Sequence, residues 1–394
     1  MILYTCVLGF LTLVYTLVLW IFRKGLRVTP SLSMANEPMV SVIVAARNEE
    51  KNIANCLTAI LNQSYPKGKL EILVMDDRST DRTAAIVAEL AHSDGRVRLI
   101  RINERASHLS PKKYAIDLGI RRARGEIIFT TDADCKPGPE WISEMIKYFT
   151  PSVGLVAGYN PYQNSGSPNS LFNKMLALDY FAMACVAAAS AGLDYPISCS
   201  GGNLAYRRQL YLEMGGFHKH SRWVSGDDDF FLERMRETSG WRITYATDSR
   251  TFVPTAPPES IGSFVQQRIR YASKCAHYSF PVTAALIGIY FLNLSILAGM
   301  IATIWKPALW PIWSTAFILK SFFEHRFLAR GQIVFQTRHS FSVFLATCLA
   351  HPIYLVAMGL LGRFTNFKWK GETHAARIPA HSEYQSKTAG FELR

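Results

Sequence analysis

The sequence predicts an α/β domain with a mainly parallel sheet, flanked on both sides by membrane helices. Between residues 36 and 275, short runs rich in Val and Ile alternate with segments of helical spacing. Uncharged stretches long enough to cross a bilayer stand before and after this zone. The acidic clusters in the first half of the zone directly follow the strand-like runs. Ligands of parallel sheets bind beyond the carboxyl ends of the strands, so these clusters mark the expected site.

The alternating zone begins with the β-branched run 39–46, which has the composition of a buried parallel strand. The expected strands are 39–46, 70–75, 97–102 and 126–131, and the expected helices are 50–63, 83–92 and 112–124. The apolar segment 175–191 contains Asp179, so we interpret it as a buried or membrane-grazing helix rather than a span.

The first 22 residues carry no charge and are followed by Arg23, Lys24 and Arg27. A secretory signal peptide has basic residues before its apolar run and a small-residue cleavage site after it, so this pattern does not fit one. We therefore expect an uncleaved membrane anchor with its N-terminus outside and residue 23 onward inside.

The C-terminal part of the chain becomes apolar again at residue 279. Residues 279–305 carry no charge and predict a membrane helix. The stretch 308–319 is shorter and is broken by Pro311. It either spans the bilayer by continuing past Lys320 or lies at the membrane surface.

The last apolar stretch, 341–362, is long enough to cross a bilayer, but His351 and Pro352 stand in its middle. A kinked helix and a re-entrant hairpin both fit this pattern. Three C-terminal crossings would place the basic tail outside, against the positive-inside rule. The sequence alone therefore leaves between two and four spans open.

These boundaries divide the chain into four parts: an anchor and linker (1–35), an α/β domain (36–275), a membrane region (276–362) and a basic tail (363–394). The net charge is +13, and the basic excess flanks the apolar segments while the middle is nearly balanced. This distribution is typical of membrane proteins and argues against nucleic-acid binding. Seven scattered cysteines without a C-x-x-C pair argue against a disulfide framework and structural zinc.

Two acidic pairs follow strand-like runs. Asp76 and Asp77 are adjacent and repel each other, so they need hydrogen bonds or a cation, unless they form a turn and helix cap. Asp132 and Asp134 are two residues apart on an extended end, which points both carboxylates the same way. Two oxygen ligands on one side suit a hard divalent cation that carries a diphosphate.

A third acidic cluster, 227–229, stands before an apolar helix. The N-terminal end of a helix stabilises anions, so one or two of these residues could simply cap it. A general base must be an ionised carboxylate within hydrogen-bond reach of its proton. We assign Asp228 as that base, with Asp227 and Asp229 as supports.

The loop after the first strand places Ala46, Arg47 and Glu49 where polar side chains and backbone amides can hold a nucleotide. A charged loop that caps the next helix fits the same residues. Lys112 begins a helix near the expected phosphates, and the alternative is an ordinary surface lysine.

Gln267, Arg270 and Tyr271 lie within one helical turn just before the membrane region. Arginine can bind a phosphate through two hydrogen bonds, and an aromatic ring can pack on a sugar. The alternative is an amphipathic interfacial helix whose arginines reach toward water. Gly202, in the run 200–203, gives either a tight turn on the acceptor side or a flexible loop.

A family resemblance is carried by five motifs in this order: VSVIVAARNEE, MDDRSTD, TDAD, GDDD and QRIRY. Together they resemble a membrane-integrated family 2 glycosyltransferase with a GT-A nucleotide-diphospho-sugar domain. Cellulose, chitin and hyaluronan synthases and ceramide glucosyltransferases belong to this group. The resemblance covers roughly residues 38–275.

The resemblance implies a role for each matching residue. The nucleotide-sugar donor would be held by Ala46, Arg47, Glu49, Asp76, Asp77, Lys112 and Asp132, and Mg²⁺ or Mn²⁺ by Asp134 with Asp132. Asp228 would be the general base, next to Asp227, which replaces the common Glu. Gln267, Arg270 and Tyr271 would form the acceptor entrance, where Tyr271 replaces the common Trp.

The implied activity is that of a membrane-bound, metal-dependent inverting transferase of hexosyl or N-acetylhexosaminyl type. It would move a sugar from a nucleotide-diphosphate donor, with UDP favoured, to a lipid-linked or saccharide acceptor. Its catalytic domain would face the cytoplasm at a bacterial inner membrane, in contact with membrane lipids. The alternatives are a processive polysaccharide synthase of the same family and a non-enzymatic scaffold or transporter with a degenerate domain.

Overall fold

The structure, a computed structural model, describes residues 1–28, 37–104, 109–163, 170–217, 228–238, 240–369 and 372–374. These residues form a seven-stranded sheet covered by helices on both faces, a group of long apolar helices and a two-stranded hairpin. Asp227, one of the two residues expected to be catalytic, lies outside the described residues.

The sheet has six parallel strands and one strand of opposite direction. The strands are β1 (Val40–Ala46), β2 (Leu70–Asp77), β3 (Val97–Ile102), β4 (Ile127–Asp132), β5 (Val153–Ala157), β6 (Leu204–Arg207) and β7 (Arg242–Tyr245). Their order is β3-β2-β1-β4-β6-β5-β7, and among the described strands only β6 is antiparallel to its neighbours. The prediction of an α/β fold with a mainly parallel sheet is confirmed.

Twelve helices are found in the described residues. They are α1 (Ile2–Gly25), α2 (Ile53–Leu61), α3 (Thr83–Ser93), α4 (Pro111–Arg122), α5 (Trp141–Ile146), α6 (Leu171–Gly192), α7 (Arg208–Glu213), α8 (Asp229–Thr238), α9 (Ile261–Ser273), α10 (Phe280–Ala302), α11 (Trp310–Val334) and α12 (Phe341–Phe364). The part of the chain predicted as a tail contains two short strands, β8 (Phe367–Trp369) and β9 (Glu372–His374).

The central strand β1 is buried on both faces, which explains its uninterrupted apolar composition. Val42 and Val44 join a core cluster with α2 and α5, whereas Ile43 joins the opposite cluster with α4 and α6. Successive side chains of a strand point to opposite faces, so one run of β-branched residues serves both layers.

The strand register brings the acidic clusters to one edge. Ala46 at the end of β1 pairs with Asp76, and Ala45 pairs with Asp132 at the end of β4. Because β1, β2 and β4 are parallel, their carboxyl ends meet at the same side of the sheet. Residues that are far apart in the chain therefore share one site.

Four described helices are long and apolar enough to cross a membrane: α1, α6, α10 and α12. Of these, α6 packs in the core of the α/β domain through residues such as Phe181, Cys185 and Ala189. α12 is one continuous helix with Pro352 inside it, so the hairpin alternative for this stretch is wrong.

The stretch broken by Pro311 continues past Lys320 as α11, because the proline stands in the first turn, where no hydrogen bond of the helix is lost. The buried Lys320 ammonium lies 2.9 Å from the Glu324 carboxylate one turn later. The hydroxyl of Tyr15 in α1 donates to the same carboxylate at 2.6 Å. Paired in this way, the charges of α11 are accommodated between apolar helices.

Candidate active site

A cavity of about 500 Å³ opens at the carboxyl edge of the sheet. Ten of the expected site residues line it: Ala46, Arg47, Glu49, Asp77, Lys112, Asp132, Asp134, Gln267, Arg270 and Tyr271. Asp76, Gly202 and Asp228 are not part of this lining. The volume lies within the range of ordinary small-molecule sites.

The loops that follow β1 and β2 are tied together by hydrogen bonds. The Asn48 side chain accepts from the Thr80 backbone N–H at 2.9 Å, and the backbone N–H of Asn48 donates to the Ser79 hydroxyl at 3.1 Å. The Glu50 carboxylate accepts from the Arg82 N–H at 3.0 Å. Asn48 has a φ of 54°, in the left-handed region that Asn tolerates. These bonds fix the loop that carries Arg47 and Glu49.

The adjacent carboxylates of Asp76 and Asp77 have different hydrogen-bond partners. Both oxygens of Asp77 accept from the Arg78 guanidinium, at 2.8 and 3.0 Å, and Arg47 approaches Asp77 to 3.9 Å. Asp76 accepts from the Ser79 backbone N–H at 3.3 Å. Asp77 therefore faces the cavity while Asp76 closes the turn, which relieves the repulsion expected for the pair.

Asp132 and Asp134 provide the side chains that fit a divalent cation. Ligand atoms of Asp132, Asp134 and Cys135 lie within 4.8 Å of one another. Burial raises the pKa of the Cys135 thiol well above its usual value. Mg²⁺ and Mn²⁺ prefer oxygen ligands, which the two carboxylates supply. The Lys112 ammonium pairs with Asp132 at 2.7 Å, on the side where phosphates are expected.

Asp228 lies beside the same strand end, behind a glycine turn. Its carboxylate accepts from the Gly201 N–H at 2.9 Å and from the Asp229 N–H at 2.8 Å. Gly202 follows Gly201 in this turn and lies close to Asp132, because a Cβ on Gly202 would lie 3.3 Å from an oxygen of Asp132. The turn therefore connects Asp228 to a residue of the cavity lining. It is closed by the Asn203 N–H, which donates to the Ser200 carbonyl at 3.1 Å, so Gly202 lies in a tight turn rather than a free loop.

Asp229 binds residues from other segments of the chain, a structural role that its position in the sequence does not reveal. It is only 2% exposed and accepts from the Ser198 hydroxyl at 3.0 Å, the Cys199 N–H at 3.1 Å and the Tyr278 hydroxyl at 2.7 Å. It also accepts from the Lys274 ammonium. Burial alone would lower the pKa of Lys274, but the neighbouring acids outweigh it and raise that pKa well above its usual value. This network holds three separate chain segments around Asp228.

The helix α9 forms the opposite wall of the cavity. It begins with a capping box between Ser260 and Ser263, which sets its first turn. The side-chain amide oxygen of Gln267 accepts from the Tyr162 hydroxyl at 3.3 Å. Tyr162 in turn stacks on Tyr180 of α6, with ring centroids 4.6 Å apart.

Tyr162, Tyr180, Thr255, Ser263 and Gln266 also line the cavity, although sequence reasoning missed them. Gln266 could have been predicted from the sequence, since it adjoins the predicted site residue Gln267 on the same helix. Tyr180 stands inside an apolar run, and Tyr162 and Thr255 belong to no recognisable pattern. These residues line the cavity because of how distant segments pack together, and no local sequence pattern predicts that packing.

On its other face, α9 carries Arg268, which is 4% exposed and was not among the predicted site residues. Its guanidinium lies 2.7 Å from the Asp179 carboxylate of α6 and 5.5 Å from the centre of the Tyr271 ring. The pair therefore joins the two helices whose tyrosines and glutamines form the cavity wall. The acidic residue within the apolar α6 thus has a specific partner.

With this geometry established, the chain can be compared with known proteins. Residues 41–215 match the sequence model of Glycosyl transferase family 2. A mannosyltransferase from Pyrobaculum calidifontis, solved in complex with GDP-Man and Mn²⁺, superposes with a TM-score of 0.59 at 22% identity, over 91% of this chain and 98% of that one. Residues 41–215 are therefore similar to glycosyl transferase family 2 domains, and the superposition shows that the chain has a GT-A-type fold.

Curated relatives bear similar descriptions. A glycosyltransferase of Haloferax volcanii is 26% identical over 67% of this chain and 82% of its own length. An N-acetylglucosaminyltransferase of Sinorhizobium fredii is 26% identical over 74% of each chain. A β-monoglucosyldiacylglycerol synthase of Nostoc is 35% identical over 60% of this chain and 48% of its own length. Asp228 and α9 lie beyond the residues that match the family model.

Proposed function

We propose that this protein is a membrane-bound, metal-dependent inverting glycosyltransferase of hexosyl or N-acetylhexosaminyl type. The observation that carries this proposal is the gathering of Asp77, Asp132 and Asp134 around one cavity, with Asp228 beside it behind the Gly202 turn. A degenerate domain in a scaffold or transporter would have no reason to keep this complete set of acids.

In this proposal the donor is a nucleotide-diphosphate sugar. Arg47, Glu49 and Asp77 hold the nucleoside, while Lys112 and Asp132 meet the ribose and the diphosphate. The GDP-Man bound to the Pyrobaculum protein and the description of the Sinorhizobium relative support a nucleotide sugar as donor. A UDP-linked donor remains our prediction from the motif resemblance.

Asp134, with Asp132, would hold Mg²⁺ or Mn²⁺. When bound there, the cation supplies positive charge to the oxygens of the departing diphosphate. The chemistry of the side chains fits this ion, because both are carboxylates, whose oxygens are the ligands that Mg²⁺ and Mn²⁺ prefer.

Asp228 acts as the general base in a single displacement. It takes the proton of an acceptor hydroxyl as that oxygen attacks the anomeric carbon from the face opposite the leaving group. The bond from the anomeric carbon to the diphosphate oxygen breaks, and the nucleoside diphosphate leaves with the bonding electrons. The Asp228 carboxylate accepts from the Gly201 N–H at 2.9 Å and lies 3.9 Å from the Lys274 ammonium, and these contacts hold it in place for this step.

The acceptor is a lipid or a saccharide attached to one. The cavity wall α9 leads directly into α10, a helix long and apolar enough to cross a bilayer. The description of the Nostoc relative as a diacylglycerol-based synthase supports a lipid acceptor. The basic residues after α1 favour a catalytic domain on the cytoplasmic side, at the inner membrane of a bacterium.

A screen of the purified protein in lipid against a panel of nucleotide sugars tests this proposal. We expect one donor to raise the thermal unfolding midpoint when Mn²⁺ is present, and EDTA to remove the shift. A panel in which every donor leaves the midpoint unchanged, with and without Mn²⁺, would contradict the proposed function.

A processive synthase of the same family is the second candidate, since the motifs are shared. Tyr271 replaces the Trp on which a growing chain would stack, and this replacement favours a single transfer. Size analysis of the product separates the two: we expect one added sugar per acceptor, whereas a ladder of products would establish processive synthesis.

A further inference from the structure

The segment 251–255, which follows β7 and precedes α9, is held on two sides by backbone hydrogen bonds. On one side, the Lys136 N–H, which lies just beyond the end of β4, donates to the Pro254 carbonyl at 2.9 Å. On the other side, the Thr255 carbonyl accepts from the Gln163 N–H at 2.8 Å. The segment therefore joins the chain that follows β4 to the chain that follows β5.

Two buried asparagines fix the earlier part of the same segment. The Asn160 side-chain N–H donates to the Val253 carbonyl at 2.9 Å, and the Asn203 side-chain N–H donates to the Thr251 carbonyl at 2.9 Å. Both asparagines are at most 2% exposed. Such buried hydrogen bonds are costly to break, because the groups left behind would lack partners. The position of Thr255 is therefore set by the backbone around it and not by its own side chain.

The Thr255 side chain reaches an acid of the proposed metal site. Its hydroxyl donates to one oxygen of the Asp134 carboxylate at 3.5 Å, and both residues line the cavity. A carboxylate has two oxygens, so one can accept a hydrogen bond while the other binds a cation. Hydrogen-bond partners behind a metal ligand hold that ligand in the orientation that the ion requires. Thr255 is placed to do this for Asp134.

We propose that Thr255 is a positioning residue for the metal ligand Asp134. Its hydroxyl holds one carboxylate oxygen and leaves the other available to the cation that Asp134 shares with Asp132. This inference rests on the proposed function, because it takes Asp134 as a ligand of Mg²⁺ or Mn²⁺. Thr255 lies beyond residues 41–215, so the match to the family model assigns it no role.

The backbone and the side chain of Thr255 make different contacts. Single β-bridges join its backbone to Cys135 and to Tyr162, and the Tyr162 hydroxyl donates to Gln267 of α9 at 3.3 Å. The backbone of Thr255 thus supports the cavity wall, whereas its hydroxyl contacts Asp134. Removal of the hydroxyl alone should therefore weaken cation binding and leave the fold intact.

Titration with Mn²⁺ alone, without any nucleotide, measures this role. The electron paramagnetic resonance signal of free aqueous Mn²⁺ falls as the ion binds, so the full chain in lipid gives a Kd that needs no sugar transfer. Thr255→Val keeps the shape of the side chain but removes the hydroxyl. We expect it to raise the Kd for Mn²⁺ about 10-fold, as is typical when a hydrogen-bond partner of a metal ligand is lost. Thr255→Ser retains a hydroxyl and should bind Mn²⁺ nearly as the native protein does.

Thr251→Val is the matched control from the same segment. The Thr251 hydroxyl donates to the Asp248 carbonyl at 2.6 Å, and Thr251 is buried and is not part of the described cavity lining. This variant should lower the thermal unfolding midpoint and keep the native Kd for Mn²⁺. Thr255→Val should do the reverse. A lowered midpoint with a native Kd in Thr255→Val would show a purely structural role and would overturn the inference.

A further pair of variants keeps the test decisive if valine is not tolerated beside Asp134. In that case Thr255→Ala should weaken Mn²⁺ binding and Thr255→Ser should restore it, and equal Kd values for the two would contradict the positioning role. Asp134→Asn separates this inference from the proposed function. If Asp134→Asn binds Mn²⁺ as tightly as the native protein, the proposed metal site itself is wrong, and the role of Thr255 is wrong with it.

Discussion

The two sides of the cavity are held by different kinds of contact. The side proposed to bind the donor, called the donor side below, consists of the loops after β1, β2 and β4 (residues 47–50, 76–83 and 132–134), and hydrogen bonds between the first two of these loops fix it. The side proposed to bind the acceptor, called the acceptor side below, consists of Asp228, the turn 199–203 and α9. It is fixed by two largely buried charge pairs, Asp229 with Lys274 and Arg268 with Asp179.

This difference shows which features of the sequence determine each side of the site. Donor-side residues stand at strand ends, where short motifs and sheet topology place them. Acceptor-side residues are assembled by contacts between segments that are distant in the chain, and α9 is followed by the apolar helix α10. Damage to the acceptor side should therefore appear as lost stability together with lost transfer, and damage to the donor side as lost donor binding.

The largest effect on stability is expected from Asp229→Asn. The substitution removes the nearer of the two carboxylates that face the largely buried Lys274 ammonium, and breaking a buried ion pair costs about 3–5 kcal/mol. Thermal unfolding of the protein in lipid should show a clear fall in the midpoint. The matched control is Asp194→Asn, which breaks an exposed pair with Arg242 and should change the stability by about 0.5 kcal/mol or less. Equal midpoints for the two variants would contradict the anchoring role of Asp229.

On the donor side, Asp134→Asn should remove the metal dependence of donor binding and lower transfer about 100-fold or more, because a cation contributes several kcal/mol of charge stabilisation. Cys135→Ser is the control from the same cluster and should keep binding that responds to Mn²⁺, because this hard cation prefers carboxylate oxygens to a thiol. Mn²⁺ titration of donor binding checks both variants. Loss of metal response in Cys135→Ser would assign the thiol to the site after all.

The second charge pair allows a double-mutant cycle. Asp179→Leu alone should destabilise the protein by roughly 2 kcal/mol, less than for a fully buried pair because the Asp179 side chain is about a fifth exposed. Asp179→Leu together with Arg268→Met should recover most of that loss, since apolar side chains can replace a buried pair. If the pair positions α9, the double variant will regain stability but still show a raised KM for the acceptor. Full recovery of both properties would mean that the pair serves stability alone.

The smallest effect concerns the hydrogen-bonded loops of the donor side. Asn48→Ala loses the bond to Thr80, worth about 1 kcal/mol, and also strains a left-handed backbone at about 1 kcal/mol. Asn48→Gly loses only the bond. The KM for the donor should therefore rise more in the alanine variant than in the glycine variant. The reverse order would show that loop geometry does not limit donor binding.

Much of the donor side was predictable from the sequence. The apolar runs that became β1, β2 and β4 showed where the strands end, and parallel topology then brought Asp77, Asp132 and Asp134 together. The acceptor side was less predictable, because the partners of Asp229 and Arg268 come from other segments and follow no local period.

The membrane region shows the same limit of sequence reasoning. Composition predicts apolar surroundings for both α10 and α12, and the two helices differ little in length or hydropathy. Their packing differs in part: α10 contacts Tyr4 and Leu8 of α1, whereas α12 contacts Phe264 and Ala272 of α9. The two helices also contact each other through Tyr290 and Gly359.

The most direct test compares sugar transfer and donor binding in one preparation of Asp228→Asn. If the two sides of the cavity meet at Asp228, transfer should fall about 10²–10⁴-fold, the contribution of a positioned general base, while the Kd of the nucleotide sugar stays near its native value. Transfer at the native rate would show that the proton of the acceptor goes elsewhere and that Asp228 has no part in the chemistry.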